Sequence, residues 1–309
     1  MKKISIIIPI FNEEDAIRIT LERLNKVLIE ESKNYIFEIL LLDNCSTDNS
    51  YATALELQKS YKNMTVIKQS RNFGYQANIL AGYENATGDA VVQLDADGED
   101  DPILISKFLR KWEEGYDVVY GIRKKRYENY FISFIRKIFY RFINFVSDID
   151  LPIDAGDFRL LDRKIVNNLD KFKETSLYIR GIVSYIGFKQ CGIEYDRNKR
   201  NSGSGKISLL NYFKIATKGI VSFSTFPLYF IFILGLLVFG VSIILIISYI
   251  LLFYLNIVTE PGFTTLVLFI LCFFGMIIFS IGIIAIYIGM ILDEIKARPR
   301  YLIDRKKNT

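Results

Sequence analysis

Five acidic side chains lie close together in one short segment of the chain, LDADGEDDP. They are Asp95, Asp97, Glu99, Asp100 and Asp101. Carboxylates at this spacing repel one another, and a hard divalent cation relieves the repulsion because Mg²⁺ and Mn²⁺ favour oxygen ligands. Mg²⁺ is commonly held by one or two carboxylates and by substrate phosphates, so the segment predicts a cation that binds a diphosphate. An Asp-x-Asp pair alone is a weak signal, since a solvated acidic turn can also contain one.

The composition excludes several other kinds of site. The chain has no histidine, which excludes a Ser-His-Asp triad, an imidazole base and a histidine-ligated zinc ion. Its three cysteines, Cys45, Cys191 and Cys272, have no paired spacing, so neither a disulfide framework nor a zinc knuckle is predicted. Any metal must therefore bind oxygen ligands, and a reducing compartment fits the cysteine usage.

The acidic segment follows one of several predicted strands that alternate with helices. Apolar, β-branched runs predict strands at residues 4–10, 37–42, 64–69 and 90–94, and helical patterns occupy 13–31, 47–61 and 76–86. This alternation indicates an α/β fold with a mainly parallel sheet covered by helices on both faces. Ligands bind outside the carboxyl ends of such strands, where residues 9–13, 43–46, 71–74 and 95–101 fall.

Two long apolar stretches, residues 219–259 and 261–292, follow the α/β region. Each exceeds the roughly 20 residues that a membrane-spanning helix needs, and only Glu260 is ionisable between them. Both flanks are rich in Lys and Arg, which predicts a helical hairpin with both flanks in the cytoplasm. A buried hairpin in a soluble core is the alternative, and the length of the stretches disfavours it. The apolar part of MKKISIIIPIF is too short for a signal peptide.

Two further segments have the pattern of helices that lie in a membrane interface. Residues 130–147 place apolar residues at helical spacing and Arg136, Lys137 and Arg141 in another sector, and residues 206–222 resemble a second such helix. Packing of the first segment against the soluble domain is the alternative interpretation.

Four segments resemble glycosyltransferase family 2, whose members have the GT-A fold. They are IIIPIFNEE, LLDNCSTDNS, RNFGYQANILAGYENATGDAVVQLDADGEDDP and DAGDFRLLDR. The similarity covers residues 1 to about 206 and is strongest to the polyisoprenyl-phosphate glycosyltransferases, which include bactoprenol glucosyltransferases and dolichyl-phosphate mannose synthases. The paired apolar stretches suit the bactoprenol group.

The resemblance implies a nucleotide-sugar site. It assigns nucleotide-sugar binding to Pro9, Phe11, Glu13, Asp43, Asn44, Arg71, Gly74 and Asp95, and binding of Mg²⁺ or Mn²⁺ to Asp97 and Glu99. Glu99 stands where the family often has Gln and remains a competent hard ligand. Asn44 replaces a usual Asp and Asp101 a usual Pro, so the base that is read and the shape of the loop stay open.

The resemblance also implies an acceptor side. Asp157 in DAGDFR matches a carboxylate suggested to act as base or to orient the acceptor, so Asp157, Asp95 and Arg159 form the predicted catalytic set. Phosphate-binding roles fall on Arg123, Arg159, Arg197, Arg200, Ser204 and Lys206. A lipid phosphate is already ionised near neutral pH, so a strong general base is not required. A turn residue at Asp157 and a solvated basic run at 124–126 are the alternatives.

We therefore expect an inverting glycosyltransferase that moves a hexose from a nucleotide sugar to a polyprenyl phosphate such as undecaprenyl (bactoprenol) phosphate. UDP-glucose is the favoured donor. A processive polysaccharide synthase is one alternative, although Trp112 is the only tryptophan and the Gln-x-x-Arg-Trp motif is absent. An inert transferase-like membrane adaptor is another. No nucleic-acid partner is predicted, and the resemblance suggests a homo-oligomer, a tetramer.

The expected organisation places the protein in a bacterial inner membrane, with the catalytic domain and both termini in the cytoplasm. The segments are a GT-A nucleotide-sugar-binding core at 1–129, an interfacial helix at 130–147, the acceptor side at 148–205, a second interfacial helix at 206–222, a transmembrane hairpin at 223–292 and a basic tail at 293–309.

Overall fold

The computed structural model describes residues 1–123, 155–174, 178–196, 226–255 and 263–307. The chain forms two compact units. The first consists of Met1–Asn144, Ile149–Ile207 and Arg298–Thr309, and the second of Phe145–Asp148 and Ser208–Ala297.

The first unit is an α/β structure built on one sheet of eight strands. In chain order its elements are β1 (Lys2–Ile10), α1 (Glu14–Glu31), β2 (Tyr35–Asp43), α2 (Ser50–Gln58), β3 (Met64–Gln69), α3 (Tyr75–Asn85), β4 (Ala90–Gln93), α4 (Leu104–Glu113), β5 (Val118–Arg123), β6 (Ala155–Asp162), α5 (Arg163–Leu169), α6 (Ile179–Ile186), β7 (Gln190–Tyr195) and β8 (Ile303–Lys307). The strand order is β7-β5-β6-β4-β1-β2-β3-β8. The sheet is mixed, because β6 is antiparallel to both β4 and β5, and β8 is antiparallel to β3.

The parallel half of the sheet, β4-β1-β2-β3, is the part that alternation of strands and helices predicts. Both faces of β1 are buried: Ile4, Ile6 and Ile8 pack with α1 and α4 on one side, and Ile7 packs with α3 on the other. Burial on both faces explains why residues 4–10 are apolar except for Ser5. The antiparallel strand β6 carries Asp157 and Arg159, and its sequence has no alternation signal of comparable strength.

A hydrogen-bonded turn fixes the start of β4 at the edge of the sheet where β1 also begins. Glu38 of β2 accepts hydrogen bonds from the Thr87 amide at 2.6 Å and the Thr87 hydroxyl at 2.7 Å, from the Ser5 hydroxyl, and pairs with Lys3 Nζ at 2.5 Å. Burial raises the pKa of Glu38, but these hydrogen bonds outweigh it and lower the pKa to about 2. Gly88 packs so closely here that a Cβ would lie 2.7 Å from the Ser5 amide nitrogen.

The last strand of the sheet comes from the segment that the sequence indicates only as a basic tail. β8 pairs with β3, and its five residues are exposed. Gln58 Nε2 donates to the Lys307 carbonyl at 2.8 Å, and the Arg300 guanidinium donates to the Phe172 carbonyl at 2.6 Å. Charged residues on an edge strand discourage pairing with other chains, which explains why this strand lacks the apolar pattern of the central ones.

The second unit contains two long apolar helices, α7 (Phe226–Tyr254) and α8 (Phe263–Ile295). Within the described ranges, one helical stretch, Phe273–Ile295, is long and apolar enough to cross a membrane, and Pro227–Val238 is a shorter apolar helix. The expectation of two spans is therefore supported for one of them. The predicted interfacial helices at 130–147 and 206–222 lie outside the described residues.

Candidate active site

A cavity of about 330 Å³ opens at the carboxyl ends of β1, β2 and β4, beside the first turn of α3. Seven of the residues predicted to bind the nucleotide sugar or the cation line it: Pro9, Phe11, Glu13, Asn44, Gly74, Asp95 and Asp97. Five further lining residues were not predicted, of which three are polar: Asn72, Tyr75 and Asn78. The topology thus brings four separate chain segments, which follow β1, β2, β3 and β4, to one place, as expected at the carboxyl ends of parallel strands.

The loops after β1 and β2 are fastened to each other at the mouth of this cavity. Asn12 has a left-handed backbone, and its side-chain oxygen accepts a hydrogen bond from the Thr47 amide at 2.8 Å. The Glu13 amide donates to the Ser50 hydroxyl at 2.8 Å. These contacts hold Phe11, which is 42% exposed, as an aromatic surface of the cavity lining.

Asn44 is committed to the loop after β3. Its Nδ2 donates to Asn72 Oδ1 at 3.0 Å, and its Oδ1 accepts from the Phe73 amide at 3.0 Å. Asn72 Oδ1 also accepts from the Gly74 amide at 2.8 Å, where the backbone φ is 92°. A carboxylate at position 44 could not donate to Asn72, so the amide in place of the family's usual Asp is matched to this loop.

Two of the predicted nucleotide-binding residues do not line the cavity. Asp43 is fully buried at the end of β2, where its carboxylate accepts from the Ser46 amide at 3.2 Å and burial raises its pKa. Arg71 is exposed, and its guanidinium lies 4.2 Å from the centre of the Phe73 ring. Asp43 therefore shapes the turn after β2 from beneath, which sequence position alone could not distinguish from direct contact.

Asp95 stands at the end of β4 and joins the sheet to α3. Its Oδ1 accepts a hydrogen bond from the Tyr75 hydroxyl at 2.6 Å, and that hydroxyl accepts from Gln93 Nε2 at 3.1 Å. Burial, followed by the neighbouring carboxylate of Asp157, raises the pKa of Asp95 to about 7, although the Tyr75 hydrogen bond opposes this. A cation bound beside Asp95 would favour its ionised form.

The rest of the acidic segment divides into two groups. Asp97 lines the cavity, and its Oδ1 accepts from the Glu99 amide at 3.0 Å, which orders the turn. Asp100 is buried instead and accepts from the Tyr195 hydroxyl at 2.5 Å, with Arg123 Nη2 3.6 Å away. Asp100 therefore anchors the loop to β5 and β7.

The donor set fits a cation that is shared with a substrate. Asp95 and Asp97 both line the cavity, whereas Glu99 does not, which leaves the predicted role of Glu99 without support from the cavity geometry. In the part of the chain that the structure describes, no group of three acidic or cysteine side chains is placed to hold a metal by itself. Mg²⁺ is commonly bound by one or two carboxylates together with phosphate oxygens of a substrate, and Asp95 and Asp97 could supply the two carboxylates.

Asp157 is held by arginine. Arg180 Nε donates to Asp157 Oδ1 at 2.7 Å and Arg180 Nη2 donates to Oδ2 at 2.6 Å, a bidentate ion pair. Arg159 Nη2 lies 3.5 Å from Oδ1. Burial raises the pKa of Asp157, but the charges and hydrogen bonds of Arg180, Arg159 and Arg123 outweigh it, so its pKa lies below the usual range. Asp157 is thus ionised at neutral pH and is a weak proton acceptor.

The other predicted phosphate-binding residues have different surroundings. Arg159 is only 3% exposed and donates to the Gly156 carbonyl at 3.1 Å, so it lies beneath Asp157 and is not accessible to a substrate in this structure. Arg123 is mostly buried, and its Nε donates to the Tyr195 hydroxyl at 3.4 Å. Arg197, Arg200, Ser204 and Lys206 fall in a range that the structure does not describe.

Arg180 is the charged residue of this site that sequence reasoning missed, besides the unpredicted residues of the cavity lining. It lies in the first turn of α6, between the buried residues Ile179 and Ile182. A single charged side chain within the apolar segment YIRGIV is an anomaly that could have indicated it, because buried charges are paired.

The mixed sheet, its covering helices and the acidic end of β4 define a GT-A-like sugar-nucleotide transferase fold. Residues 5–170 match the family model described as glycosyl transferase family 2, and the chain belongs to this family. It is a glycosyltransferase.

Comparison with known proteins supports this assignment along most of the chain. The chain is 39% identical over 304 residues to the uncharacterized glycosyltransferase YkcC of Bacillus subtilis, covering 97% of this chain and 93% of that one. It is 34% identical over 312 residues to the bactoprenol glucosyl transferase of Shigella phage SfX, covering 99% and 100%. Among solved structures, S. aureus TarS 1-349 in complex with UDP-GlcNAc is similar with a TM-score of 0.50, at 15% identity over 71% of this chain and 66% of that one, which supports the fold.

Proposed function

We propose that this glycosyltransferase transfers a hexose, with inversion, from a nucleotide sugar to a polyprenyl phosphate such as undecaprenyl phosphate, and that UDP-glucose is its favoured donor. The observation that carries the proposal is the similarity to the phage SfX bactoprenol glucosyl transferase, which extends over 99% of this chain and so includes the C-terminal apolar helices. The geometry of the first unit is compatible with both substrates.

The donor fits the cavity beside β1, β2 and β4. Phe11 offers an exposed aromatic surface for a base, and the two carboxylates Asp95 and Asp97 lie on the lining. Asp95 and Asp97 would hold Mg²⁺ or Mn²⁺ against the diphosphate. When bound, the cation supplies stabilisation of the charge that develops on the leaving diphosphate.

The reaction needs positioning more than proton transfer. An oxygen of the lipid phosphate attacks the anomeric carbon as the bond from that carbon to the diphosphate oxygen breaks, so the electron pair leaves with the nucleoside diphosphate. The attacking oxygen is already ionised, and no proton has to be removed from it. A chain without histidine, whose Asp157 is a weak base, can perform this step.

The membrane arrangement is part of the proposal. Phe273–Ile295 supports one span, and α7 would complete a hairpin within residues 223–292. The active site and both termini would then lie on the cytoplasmic side of a bacterial inner membrane, near the phosphates of the lipid. We extend the proposal to a homo-oligomer, as the family resemblance suggests.

A processive polysaccharide synthase is less compatible with the structure. The only tryptophan, Trp112, is buried, and its indole nitrogen donates to Asp162 at 2.7 Å at the start of α5. It therefore serves packing and has no access to an acceptor saccharide. An inert adaptor is disfavoured because Asp95 and Asp97 are both retained on the cavity lining.

The test uses the purified full-length protein in detergent micelles with undecaprenyl phosphate, radiolabelled UDP-glucose, and Mg²⁺, Mn²⁺ or EDTA. We expect label in the organic-extractable lipid that EDTA abolishes and that Asp97→Ala lowers by at least about 100-fold. Asp101→Asn is the matched control in the same loop, since an Asn side chain can still accept from the Ile103 amide. Label in polymer, or nucleotide-sugar binding without any lipid product, would contradict the proposal.

A further inference from the structure

The ion pair between Arg180 and Asp157 is the strongest arrangement near the site that the proposed reaction does not yet explain. Both guanidinium-to-carboxylate contacts are short, at 2.7 and 2.6 Å. The pair is largely sheltered, with 13% of the Asp157 side chain and 27% of the Arg180 side chain exposed. A sheltered bidentate pair has a defined geometry and is screened far less than a surface pair.

The backbone around Arg180 is fixed from two directions. Ile179, Ile182 and Val183 are buried in the core, which sets the rotation of α6 about its axis. The Ile179 amide also donates to Gln76 Oε1 of α3 at 3.1 Å. Gln76 is the neighbour of Tyr75, whose hydroxyl binds Asp95, so α6 and the cavity wall are joined through the first turn of α3.

The charges explain why an arginine is needed at this position. Asp157 of β6 and Asp95 after β4 lie at the same end of two paired strands, in which Gln93 is opposite Arg159, so the two carboxylates repel each other across the end of the sheet. An acceptor that approaches as a phosphate brings further negative charge to the same place. Arg180 makes the short bidentate contact with Asp157, and without it the charge of Asp157 would be only partly offset, by Arg159 at 3.5 Å, and would repel such an acceptor.

We propose that Arg180 is a positioning residue that neutralises and orients Asp157, so that the site admits an acceptor that is already ionised, and that Asp157 does not remove a proton during transfer. The inference rests on the proposed lipid-phosphate acceptor. Arg180 would then determine that the site accepts an anionic acceptor and not a neutral one, although it lies on α6, outside the segments that carry the family motifs.

The two possible roles of Asp157 give opposite results in a double-mutant comparison. If Asp157 has no role in proton transfer and is only neutralised by Arg180, its charge repels the acceptor once Arg180 is removed. Asp157→Asn should then restore the acceptor binding that Arg180→Ala loses. If Asp157 is the general base, Asp157→Asn abolishes transfer whether or not Arg180 is present, because a base contributes about 10²- to 10⁴-fold. Pairs in direct contact are expected to show such coupling.

The experiment measures kcat and the separate KM values for undecaprenyl phosphate and UDP-glucose in the full-length protein in detergent micelles. For Arg180→Ala we expect the KM for undecaprenyl phosphate to rise about 30-fold, because the charge of Asp157 would then repel the anionic acceptor, with the KM for UDP-glucose within about 3-fold of the wild type. Arg180→Lys should be intermediate, because lysine keeps the charge without the planar fork. Asp157→Asn should lower kcat less than about 10-fold, and the double variant should bring the KM for undecaprenyl phosphate within about 5-fold of the wild type.

Arg110 of α4 is another arginine paired with a carboxylate, because its guanidinium lies 2.5 Å from Glu31 of α1. Arg110→Ala is the matched control. It should leave both KM values unchanged. If Arg180→Ala alone does not fold, Arg180→Lys and the double variant are compared with the wild type instead. Arg180→Lys keeps a positive charge opposite Asp157, and the double variant removes the charge of Asp157.

Three results would overturn the role of Arg180: an unchanged KM for undecaprenyl phosphate in a folded Arg180 variant, an equal rise in the KM for UDP-glucose, or no recovery in the double variant. A loss of kcat of about 10³-fold in Asp157→Asn would overturn the claim that Asp157 does not act as the base. Failure of the proposed function is distinguishable, since the wild type would then form no lipid product, and both proposals would fall together.

Discussion

The side-chain amide of Asn44 makes two hydrogen bonds that a carboxylate could not both make. It donates to Asn72 and accepts from the Phe73 amide, and thereby fixes the loop that brings Asn72 and Gly74 to the cavity. Residue identity at position 44 is therefore coupled to position 72. This coupling is not visible at position 44 alone, because it arises only when the loops after β2 and β3 are brought together in the folded protein.

Asn44→Asp should weaken nucleotide-sugar binding. The carboxylate cannot donate to Asn72, and it places a negative charge at a residue that is 3% exposed, beside the cavity to which we assign the diphosphate of the donor. We expect the dissociation constant of UDP-glucose to rise about 10-fold, as for loss of one buried hydrogen bond, measured by equilibrium dialysis with Mn²⁺ present. Asn25→Asp, at a partly exposed position of α1, is the control, and equal binding by the two variants would contradict this prediction.

The sequence could not show which of the predicted site residues face the cavity and which are buried beneath it. The spacing of Pro9, Phe11, Asp95 and Asp97 after strands was sufficient to place them together, because the parallel half of the sheet aligns strand ends. Asp43 and Arg159 also follow or lie in strands, but they point beneath the surface. Whether the side chain at the end of a strand faces the cavity depends on the register of the strand and on the packing of the helices. Both are properties of the folded sheet.

At the scale of elements, β4 is held at both ends. Its carboxyl end leads to Asp95, and its amino end is fixed by the turn that Glu38 of β2 organises through Thr87 and Ser5. The strand is only four residues long, so its position depends on these contacts as much as on its ladder. The sequence predicted the strand from its apolar residues, but the carboxylate that holds the turn lies on another strand, 49 residues away along the chain.

Glu38→Gln should destabilise the protein in a way that depends on pH. The folded-state pKa of about 2 lies below the ordinary value of 4.5, so the contribution is fully present above pH 4.5 and is lost as the pH falls towards 2. We expect the free energy of unfolding to fall by about 3 kcal/mol at pH 7 and the difference from the wild type to shrink below pH 4.5. Denaturant titration of both proteins at pH 7 and pH 3.5 measures this.

Glu56→Gln is the control for that titration, since Glu56 pairs with Arg18 at an exposed site and should have little effect at any pH. A difference between Glu38→Gln and the wild type that stays constant from pH 7 to pH 3.5 would contradict the assigned pKa.

Gly88→Ala should also disrupt this turn. The new methyl group would lie 2.7 Å from the Ser5 amide nitrogen and 2.8 Å from the Lys3 carbonyl oxygen, and backbone atoms of a central strand cannot move aside easily. We expect a loss of about 3 kcal/mol or more in the free energy of unfolding, above the range typical of overpacking by one methyl group. Gly235→Ala in α7, where a methyl group meets nothing within 4 Å, is the control, and equal stabilities would show that the turn can relax.

At the scale of the whole molecule, the segment after α8 returns to the α/β unit and completes its sheet. Tyr301 and Arg300 both bind Glu84 of α3, the Arg300 contact being 2.8 Å long, and β8 then covers the edge of β3. A strand that is basic and fully exposed has no apolar periodicity, which is why the sequence indicated only a charged tail. The long-range contacts with α3 and β3 supply the order that local propensity does not.

Arg300→Ala should loosen this last strand. The guanidinium is 14% exposed and its partner Glu84 21% exposed, so its loss leaves the Phe172 carbonyl without its donor and the sheltered Glu84 carboxylate with only the Tyr301 hydroxyl. We expect the free energy of unfolding of the full-length protein to fall by about 2 kcal/mol and hydrogen exchange of the Val66 and Lys68 amides to accelerate, because alternate amides of β3 face β8 and lose their cover when that strand loosens. Lys296→Ala, which removes an exposed pair with Asp293, is the control and should change neither quantity. Normal exchange at β3 in a folded Arg300→Ala protein would show that the ladder between β3 and β8 holds the strand without the Arg300 contacts.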